Sequence, residues 1–391
     1  MKVWVVNPYD NLPPEGYRPQ RFWLMSRAFA AAGCETTLWT SGFSHANKTP
    51  RKFIRPLTGE GFKIVLVPVP GYRANIGLMR IVNHKILAHR WRRMAESAEC
   101  PDLIVASSPP LGLLTSVRKF AQTHGVPYIV DVMDAWPETF ERVLPRFVLK
   151  CLGLYAMAGR NYRDAARISV VAQRYRDLVA DYGATAPCRL FYHGVERSED
   201  ARRSVRLSTK TLRLVYLGNM GASYDLRTVI KTVRLMSEVE LDLAGTGPDE
   251  PALRKLAVGC DRIRFHGYLG VCELNTLLTQ VDAGLVPMFT TSCVGVPYKL
   301  ADYVVAGLPI LNSLEGETAD LLEKQGAGFS YQAGNGQSLR TAIEKLRAAD
   351  RVTLQSGAEK LSKLFDAQRI YADYVTWALD ISLARSPSRT G

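Results

Sequence analysis

The sequence predicts an α/β protein built from two successive parallel-sheet units, and three observations carry that reading. Short, wholly apolar runs recur along the chain, and helix-like or turn-rich segments separate them. A charged, polar stretch from Glu196 to Lys210 divides these elements into two sets. The length, 391 residues, also exceeds the usual range of a single hydrophobic core. Strands buried on both faces lose the in-out alternation of an exposed sheet, so continuous apolar runs point to parallel sheets covered by helices.

The first set opens with a strand at Val3–Val6, a loop rich in Asn, Pro and Gly from Asn7 to Pro19, and a helix from Arg21 to Ala32. Gly33 ends that helix where a left-handed residue is wanted, and Glu35–Thr40 resumes as a strand. Lys63–Pro68, Leu103–Ala106 and Pro127–Val130 supply three more buried strands. In the second set the strands are Leu212–Leu217, Glu240–Ala244, Arg262–Phe265, Ala283–Val286 and Pro309–Asn312. The helices between them are Asp225–Met236, Pro251–Ala257, Glu273–Thr279, Lys299–Ala306 and Gly316–Gln325. The boundaries read as 1–195 and 196–365, with 366–391 as a terminal helix and tail. The apolar segment Leu361–Leu383, through Leu364, Tyr371, Tyr374 and Leu379, suits either a helix crossing back onto the first domain or one packed on a single domain.

Hydrophobic content of 47% is enough for two cores, and the formal charge of +13 favours a polyanionic partner: anionic lipid, nucleic acid or a phosphate-bearing substrate. Seven cysteines are scattered without a close pair, which indicates neither a disulfide frame nor a zinc site. The six histidines show no metal-type spacing, so no metal is expected. MKVWVVNPYD lacks the apolar core of a signal peptide and no stretch reaches bilayer length, so the expected location is cytoplasmic, at most peripheral on a membrane. There is no GxSxG elbow, and the SxxK match at Ser116–Lys119 lacks its partner motifs, which argues against covalent hydrolysis. No nucleic-acid-binding motif accompanies the positive charge.

The most informative stretch is Pro287–Ser313, where Pro297 can open a helix and Lys299 and Asp302 fall on one edge of it. Free amides at a helix start, with Lys299 beside them, favour a phosphate. A solvent-facing Lys/Asp pair fits the same spacing. Gly218 and Gly221 follow the first strand of the second set, and Gly245 and Gly247 follow the next; backbone there could border a nucleotide or simply turn. In the first set, Gly16 precedes a helix with Arg18 and Arg21 beside it, either near a ligand or as solvated loop arginines. Asp131 and Asp134 read as loop carboxylates that either orient a hydroxyl or cap the next segment, and Asp134, beside Trp136, is the better acceptor contact. Two further stretches suit a membrane face: the basic Met79–Glu96 and the apolar Phe147–Ala158.

Taken together, LGNMG, LAGTGP, IRFHGYL, DAGLVPM and PYKLADYVVAGLPI in the second half, with GYRPQRFW and DVMDAWPETF in the first, resemble the bacterial retaining glycosyltransferases of the GT-B fold. The likeness is to the branch that builds capsule, O-antigen or exopolysaccharide. It implies two Rossmann-like domains facing across a cleft. In the family an acidic residue five positions before the glycine of AxGxP holds the donor ribose; Asp302 stands at that spacing before Gly307, where glutamate is commoner. The family's other glutamate falls at Val294 and is absent, whereas Pro297 and Lys299 match a related branch in which Lys299 meets the diphosphate. The usual arginine and lysine after the first strand of this domain are not reproduced at Asn219 and GASYD.

The resemblance therefore implies sugar transfer from a nucleoside diphosphate donor, UDP before GDP, to an undecaprenyl-linked saccharide with retention and no cofactor. Lys299 and amides near Gly218 and Gly221 would steady the diphosphate, Asp302 the ribose, and Gly245 and Gly247 the base. Asp134 and Gly16 would serve the acceptor side. An epimerase or a sugar phosphorylase is the rival enzyme class, and a basic nucleic-acid-binding protein the rival outside enzymes.

Overall fold

The computed structural model describes residues 1–52, 58–73, 77–197 and 211–383. The expected linker Glu196–Lys210 therefore lies outside the described residues from position 198 onward. The chain divides into two compact units: Met1–Tyr192 with Ala367–Gly391, and His193–Asp366.

In the first unit the order runs β1 (Lys2–Val6), α1 (Arg21–Ala31), β2 (Glu35–Ser41), the short β3 (Phe43–Ser44) and β4 (Thr49–Pro50), then β5 (Lys63–Val67) and α2 (Leu78–Glu96). It continues with β6 (Leu103–Ser108), α3 (Leu111–His124), β7 (Tyr128–Val132), α4 (Arg146–Cys151), α5 (Leu154–Arg163), β8 (Arg167–Val170), α6 (Arg174–Asp181) and β9 (Cys188–Leu190). Seven of these strands form one sheet in the order β5-β2-β1-β6-β7-β8-β9, with every pairing parallel.

Aromatic side chains cover one face of this sheet. Trp4 and Trp39 lie 5.0 Å apart between ring centres, and both pack on Trp91 of α2, which is fully buried. Sealing one such ring from water is worth a few kcal/mol, on the order of 2–3. On the other face Val3, Val5, Leu103 and Ile129 meet Phe22 and Phe29 of α1, together with Tyr374 and Val375 of the last helix.

The second unit contains β10 (Leu212–Leu217), α7 (Leu226–Arg234), β11 (Val239–Ala244), α8 (Glu250–Ala257), β12 (Ile263–Gly267), α9 (Val271–Gln280), β13 (Ala283–Val286), α10 (Tyr298–Val305), β14 (Ile310–Asn312), α11 (Glu317–Gln325), β15 (Gly328–Ser330), α12 (Gly336–Ala348) and α13 (Arg351–Ser362). Its sheet is parallel throughout, in the order β12-β11-β10-β13-β14-β15. Asp225 caps α7 by accepting from the Thr228 amide, so the expected helix start at Asp225 is its cap. The last helix, α14 (Ala367–Leu383), belongs to the first unit, where Arg167 pairs with Asp380 at 2.8 Å. Both units are Rossmann-like, as expected.

Each sheet has one topological switch point, where successive strands leave in opposite directions. It falls between β1 and β6 in the first unit and between β10 and β13 in the second. Ligands of such sheets bind beyond the carboxyl ends of the strands at that point.

Candidate functional site

The switch point of the second unit is built from three pieces of backbone. β10 runs out into Gly218, whose φ of 119° places it where a side chain is disfavoured. The next turn packs directly against it: a Cβ on Gly245 would meet the Gly218 carbonyl oxygen at 2.0 Å. The loop after β10 then pairs with the loop after β13, as the Asp225 amide donates to the Pro287 carbonyl at 2.7 Å and Phe289 to Ser223 at 3.2 Å.

The third piece is the start of α10. Tyr303, fully buried, locks this helix down: its hydroxyl accepts from the Leu217 amide at 2.8 Å and donates to the Leu285 carbonyl at 3.2 Å. Its ring lies so close to β13 that a Cβ on Gly284 would collide with it at 2.3 Å. α10 is thereby fixed between the ends of β10 and β13, with Lys299 in its first turn.

Lys299 is 6% exposed, and its Nζ has no hydrogen-bond partner among the described residues. The ammonium lies 4.1 Å from the ring centre of Tyr216 and 3.7 Å from that of Tyr224, which attract it through their π faces. A Cβ on Gly218 would stand 3.6 Å from it, so the glycine turn forms the wall opposite. Burial pushes the lysine well below its ordinary pKa, and the carboxylate of Asp302, one turn on and also buried, pulls it back up. A buried donor with three N–H bonds to give and only rings to receive them is suited to an anionic oxygen. A cavity of about 230 Å³ adjoins this point, lined by Gly221, Tyr224, Asp225, Arg227, Asp249 and Phe289 among others.

The first unit holds a second cluster, beyond the ends of β1, β2 and β7. Asp134 is half-buried and accepts from the Ala135 amide at 2.9 Å and the Thr139 hydroxyl at 3.3 Å. Burial raises its carboxyl above the usual range, against those hydrogen bonds. Nearby, the Tyr9 hydroxyl and His84 Nε2 share a 2.8 Å hydrogen bond, and His45 Nδ1 meets the Tyr72 hydroxyl at 2.5 Å. Arg80 lies over the rings of Tyr9 and Trp136. Burial holds His45 at about 3 and His84 at about 4, so both rings are neutral at physiological pH.

The unit's own switch point is filled from within. Ser107 Oγ donates to Asn7 Oδ1 at 3.2 Å, Asn7 Nδ2 donates to Asp10 at 2.7 Å, and Asp10 accepts the amides of Phe22 and Trp23 at the start of α1.

A family model described as "Glycosyl transferase 4-like domain" matches residues 19–192, and one described as "Glycosyl transferases group 1" matches residues 211–349. The chain belongs to the GT-B glycosyltransferases. Sucrose-phosphate synthase from Thermosynechococcus elongatus superposes on this GT-B chain with a TM-score of 0.76 at 13% identity, covering 98% of it and all of the other protein. Anabaena HepE, solved in complex with UDP-glucose, does so with a TM-score of 0.68 at 14% identity over 97% of this chain and 99% of its own. WcaL of Salmonella typhimurium, a glycosyltransferase named for colanic acid biosynthesis, is 23% identical over 45% of this chain and 47% of its own length. WcaL of Escherichia coli is 21% identical over 40% of this chain and 41% of its own. The chain thus spans under half the length of these curated relatives.

In this GT-B glycosyltransferase a Cβ on Gly218 would stand 3.6 Å from the Lys299 amine, and the Asp302 carboxylate is near enough to act on the lysine's charge. Gly221 lines the adjoining cavity. Gly245 and Gly247 are fixed as glycine by neighbouring chain, since a Cβ on Gly247 would meet the Met220 carbonyl oxygen at 2.3 Å. Gly16 closes a short turn with φ of 84° and is exposed, with no atom within 4 Å of where its Cβ would be.

Two expectations are corrected. Arg21 is not a solvated arginine beside Gly16: it is fully buried and grips Asp131 with two hydrogen bonds of 2.7 and 2.8 Å. Asp131, accordingly, lies inside β7 rather than in a loop. Tyr216, Tyr224, Arg227 and the Tyr9–His84 pair escaped sequence reasoning. The GASYD segment, set aside for lacking a basic residue, supplies Tyr224. Among the described residues no group of three His, Cys, Asp or Glu side chains could hold a metal ion, and no helix is long and apolar enough to cross a membrane.

Proposed function

We propose that this chain transfers a sugar from a nucleoside diphosphate donor, UDP-linked, to a hydroxyl of a lipid-linked saccharide, with retention, in the synthesis of a cell-surface polysaccharide such as capsule, O-antigen or exopolysaccharide. The observation that carries this reading is Lys299: a buried amine with no hydrogen-bond partner among the described residues, at a sheet switch point and in the first turn of a helix. A diphosphate would satisfy it, restore its charge and take up the negative charge that develops as the sugar leaves. Asp302 is assigned to the ribose, the amides near Gly218 and Gly221 to the phosphates, and the Gly245–Gly247 turn to the edge of the base. Asp134 of the first unit, with Gly16 more distant in the chain, is assigned to the acceptor. Retention then follows a same-face course in which the leaving diphosphate assists the incoming hydroxyl, with no carboxylate as covalent nucleophile.

UDP is favoured over GDP because the fold is shared with HepE, which binds UDP-glucose, and the polysaccharide setting follows the WcaL relatives. A screen of radiolabelled UDP- and GDP-sugars with membrane lipid extract tests the reading. Incorporation into extractable lipid should fall about 10²–10³-fold in Lys299→Ala, as for loss of a donor that acts on developing charge, and clearly in Asp302→Ala, while both variants unfold at the wild-type midpoint or above. Equal transfer by the two variants would remove these residues from the site. Release of an isomerised nucleotide sugar without acceptor would identify an epimerase instead.

A further inference from the structure

Asp134 does not stand alone beyond the carboxyl ends of the first sheet. Tyr9 follows β1, His45 and Lys48 form the β3–β4 turn beyond β2, Tyr72 follows β5, and Trp136 follows β7, while α2 adds Arg80 and His84 from its first turns. Arg80 is central to them. Its guanidinium hydrogen-bonds to the Tyr9 hydroxyl and lies 5.8 Å from the ring centre of Tyr9 and 5.6 Å from that of Trp136. Its charge also acts on His45, Lys48, Tyr72 and His84. Asp134 acts on Tyr9 through its charge, so the carboxylate assigned to the acceptor belongs to the same group.

The second cation is Lys48. Its ammonium donates to the His45 carbonyl at 2.5 Å, and it lies 3.3 Å from His45 Nδ1 and 5.2 Å from the ring centre of Tyr72. An ammonium can only donate, so Nδ1 is the accepting nitrogen of a neutral ring, the Tyr72 hydroxyl donates to it as well, and Nε2 carries the hydrogen. No carboxylate pairs with Lys48 among the described residues, and the turn that holds it contains no acid. Burial, and then the charge of Arg80, lower its pKa to about 8. Among the described residues Lys48 is also the one non-glycine with a left-handed backbone, at φ 56°. Holding a side chain there costs energy, and such positions concentrate where a ligand is gripped.

The geometry points to an acidic acceptor: a saccharide whose carboxylate is held by Arg80 and Lys48, whose ring rests near Trp136, and whose hydroxyls meet the Tyr9–His84 pair. A guanidinium fork matches a carboxylate, an aromatic ring offers a flat apolar face to a sugar, and a neutral imidazole both donates and accepts, as a hydroxyl does. A neutral sugar would leave two half-buried cations unopposed. A bare phosphate would use the cations but not the rings. That this saccharide is the acceptor rests on the proposed transfer; that the first unit binds it does not.

Saturation-transfer NMR of the full chain with methyl glucuronide, methyl glucoside and inorganic phosphate tests it. The glucuronide should bind about tenfold tighter than the glucoside, the size of one charge-assisted contact. Lys48→Met and Arg80→Gln should each cut that preference about fivefold while the glucoside still binds, and Arg80→Lys should recover part of it. Retained glucoside binding keeps misfolding from imitating the result. Equal binding of the two sugars, or a preference untouched by either variant, would overturn the inference. Phosphate binding more tightly than the glucuronide would overturn it as well, by assigning the two cations to the phosphates of a lipid carrier. A glucuronide preference in a protein that fails to bind UDP would strike the transfer reading and leave the acidic-sugar site standing; UDP binding without the preference would do the reverse.

Discussion

Arg21 and Lys299 are both cations sealed inside an α/β unit, and they differ in what surrounds the charge. Arg21 spends its guanidinium on a two-pronged bond to Asp131 and on the carbonyls of Phe191 and Tyr192 at 3.1 and 2.9 Å. Burial pulls its pKa down, and Asp131 more than restores it. Lys299 meets two tyrosine rings and a glycine turn, and burial wins over Asp302. A charge that the fold itself satisfies is part of the scaffold, whereas one left without an acceptor in a dry site is a place for a ligand. The same contrast separates the two switch points: the first is closed by Asn7, Asp10 and Ser107, and the second ends in a buried lysine with no hydrogen-bond partner among the described residues.

The largest expected effect is on the scaffold side. Arg21→Leu leaves the Asp131 carboxylate buried without its partner and should cost about 3–5 kcal/mol in urea unfolding. Adding Asp131→Leu should return much of that loss, because a buried pair contributes little beyond cancelling its own desolvation. A single variant within about 1 kcal/mol of wild type would break the comparison, since Arg21 would then be no more needed than a surface arginine.

That pairing was invisible beforehand, as the two residues lie 110 positions apart and meet only once α1 is laid against the sheet that holds β7. The longer strands were legible because they are buried on both faces and read as apolar runs. β8, β9 and β15 were not: RISV, CRL and GFS are too short and too mixed to announce themselves. Lys299 and Asp302 could be singled out because a helix start leaves its mark in local sequence. The rings that hold the lysine could not, since Tyr216 looks like core in an apolar strand and Tyr224 like part of a polar turn. His45, His84 and Tyr9 are likewise joined only when the loops after β1 and β2 meet α2.

A satisfied charge in the second unit sharpens the contrast at acid pH. Asp242 is fully buried in β11; burial alone would push its carboxyl up, but hydrogen bonds from Arg213, Arg264 and His266 hold it down at about 2. Its folded pKa lies below its unfolded one, so the stability it contributes is present above pH ~4 and is lost as pH falls toward 2. The full shift would be worth about 2 kcal/mol, and solvent beside the half-exposed Arg264 reduces this to about 1–2. Asp242→Asn should flatten the acid limb of the stability curve across that window. An unchanged slope would show that the carboxylate gains nothing from its three partners.

The smallest effect is the most discriminating, because it carries the opposite sign. Lys299→Met keeps the length of the side chain and removes a buried amine that has no hydrogen-bond partner among the described residues, so the free protein should become more stable by roughly 1 kcal/mol. The folded pKa of this lysine lies below its unfolded value; its stabilising contribution exists only at high pH and is lost as pH falls, so the methionine variant should gain most toward lower pH. UDP should then invert the order. At a concentration about a hundredfold above its Kd it would stabilise the wild type by about 2.7 kcal/mol, while the variant, having lost the ammonium that receives the diphosphate, gains far less. Thermal melts with and without UDP read both halves of the expectation. A variant less stable than wild type without nucleotide would mean that Lys299 supports the fold as Arg21 does, and the distinction between the two buried cations would fall.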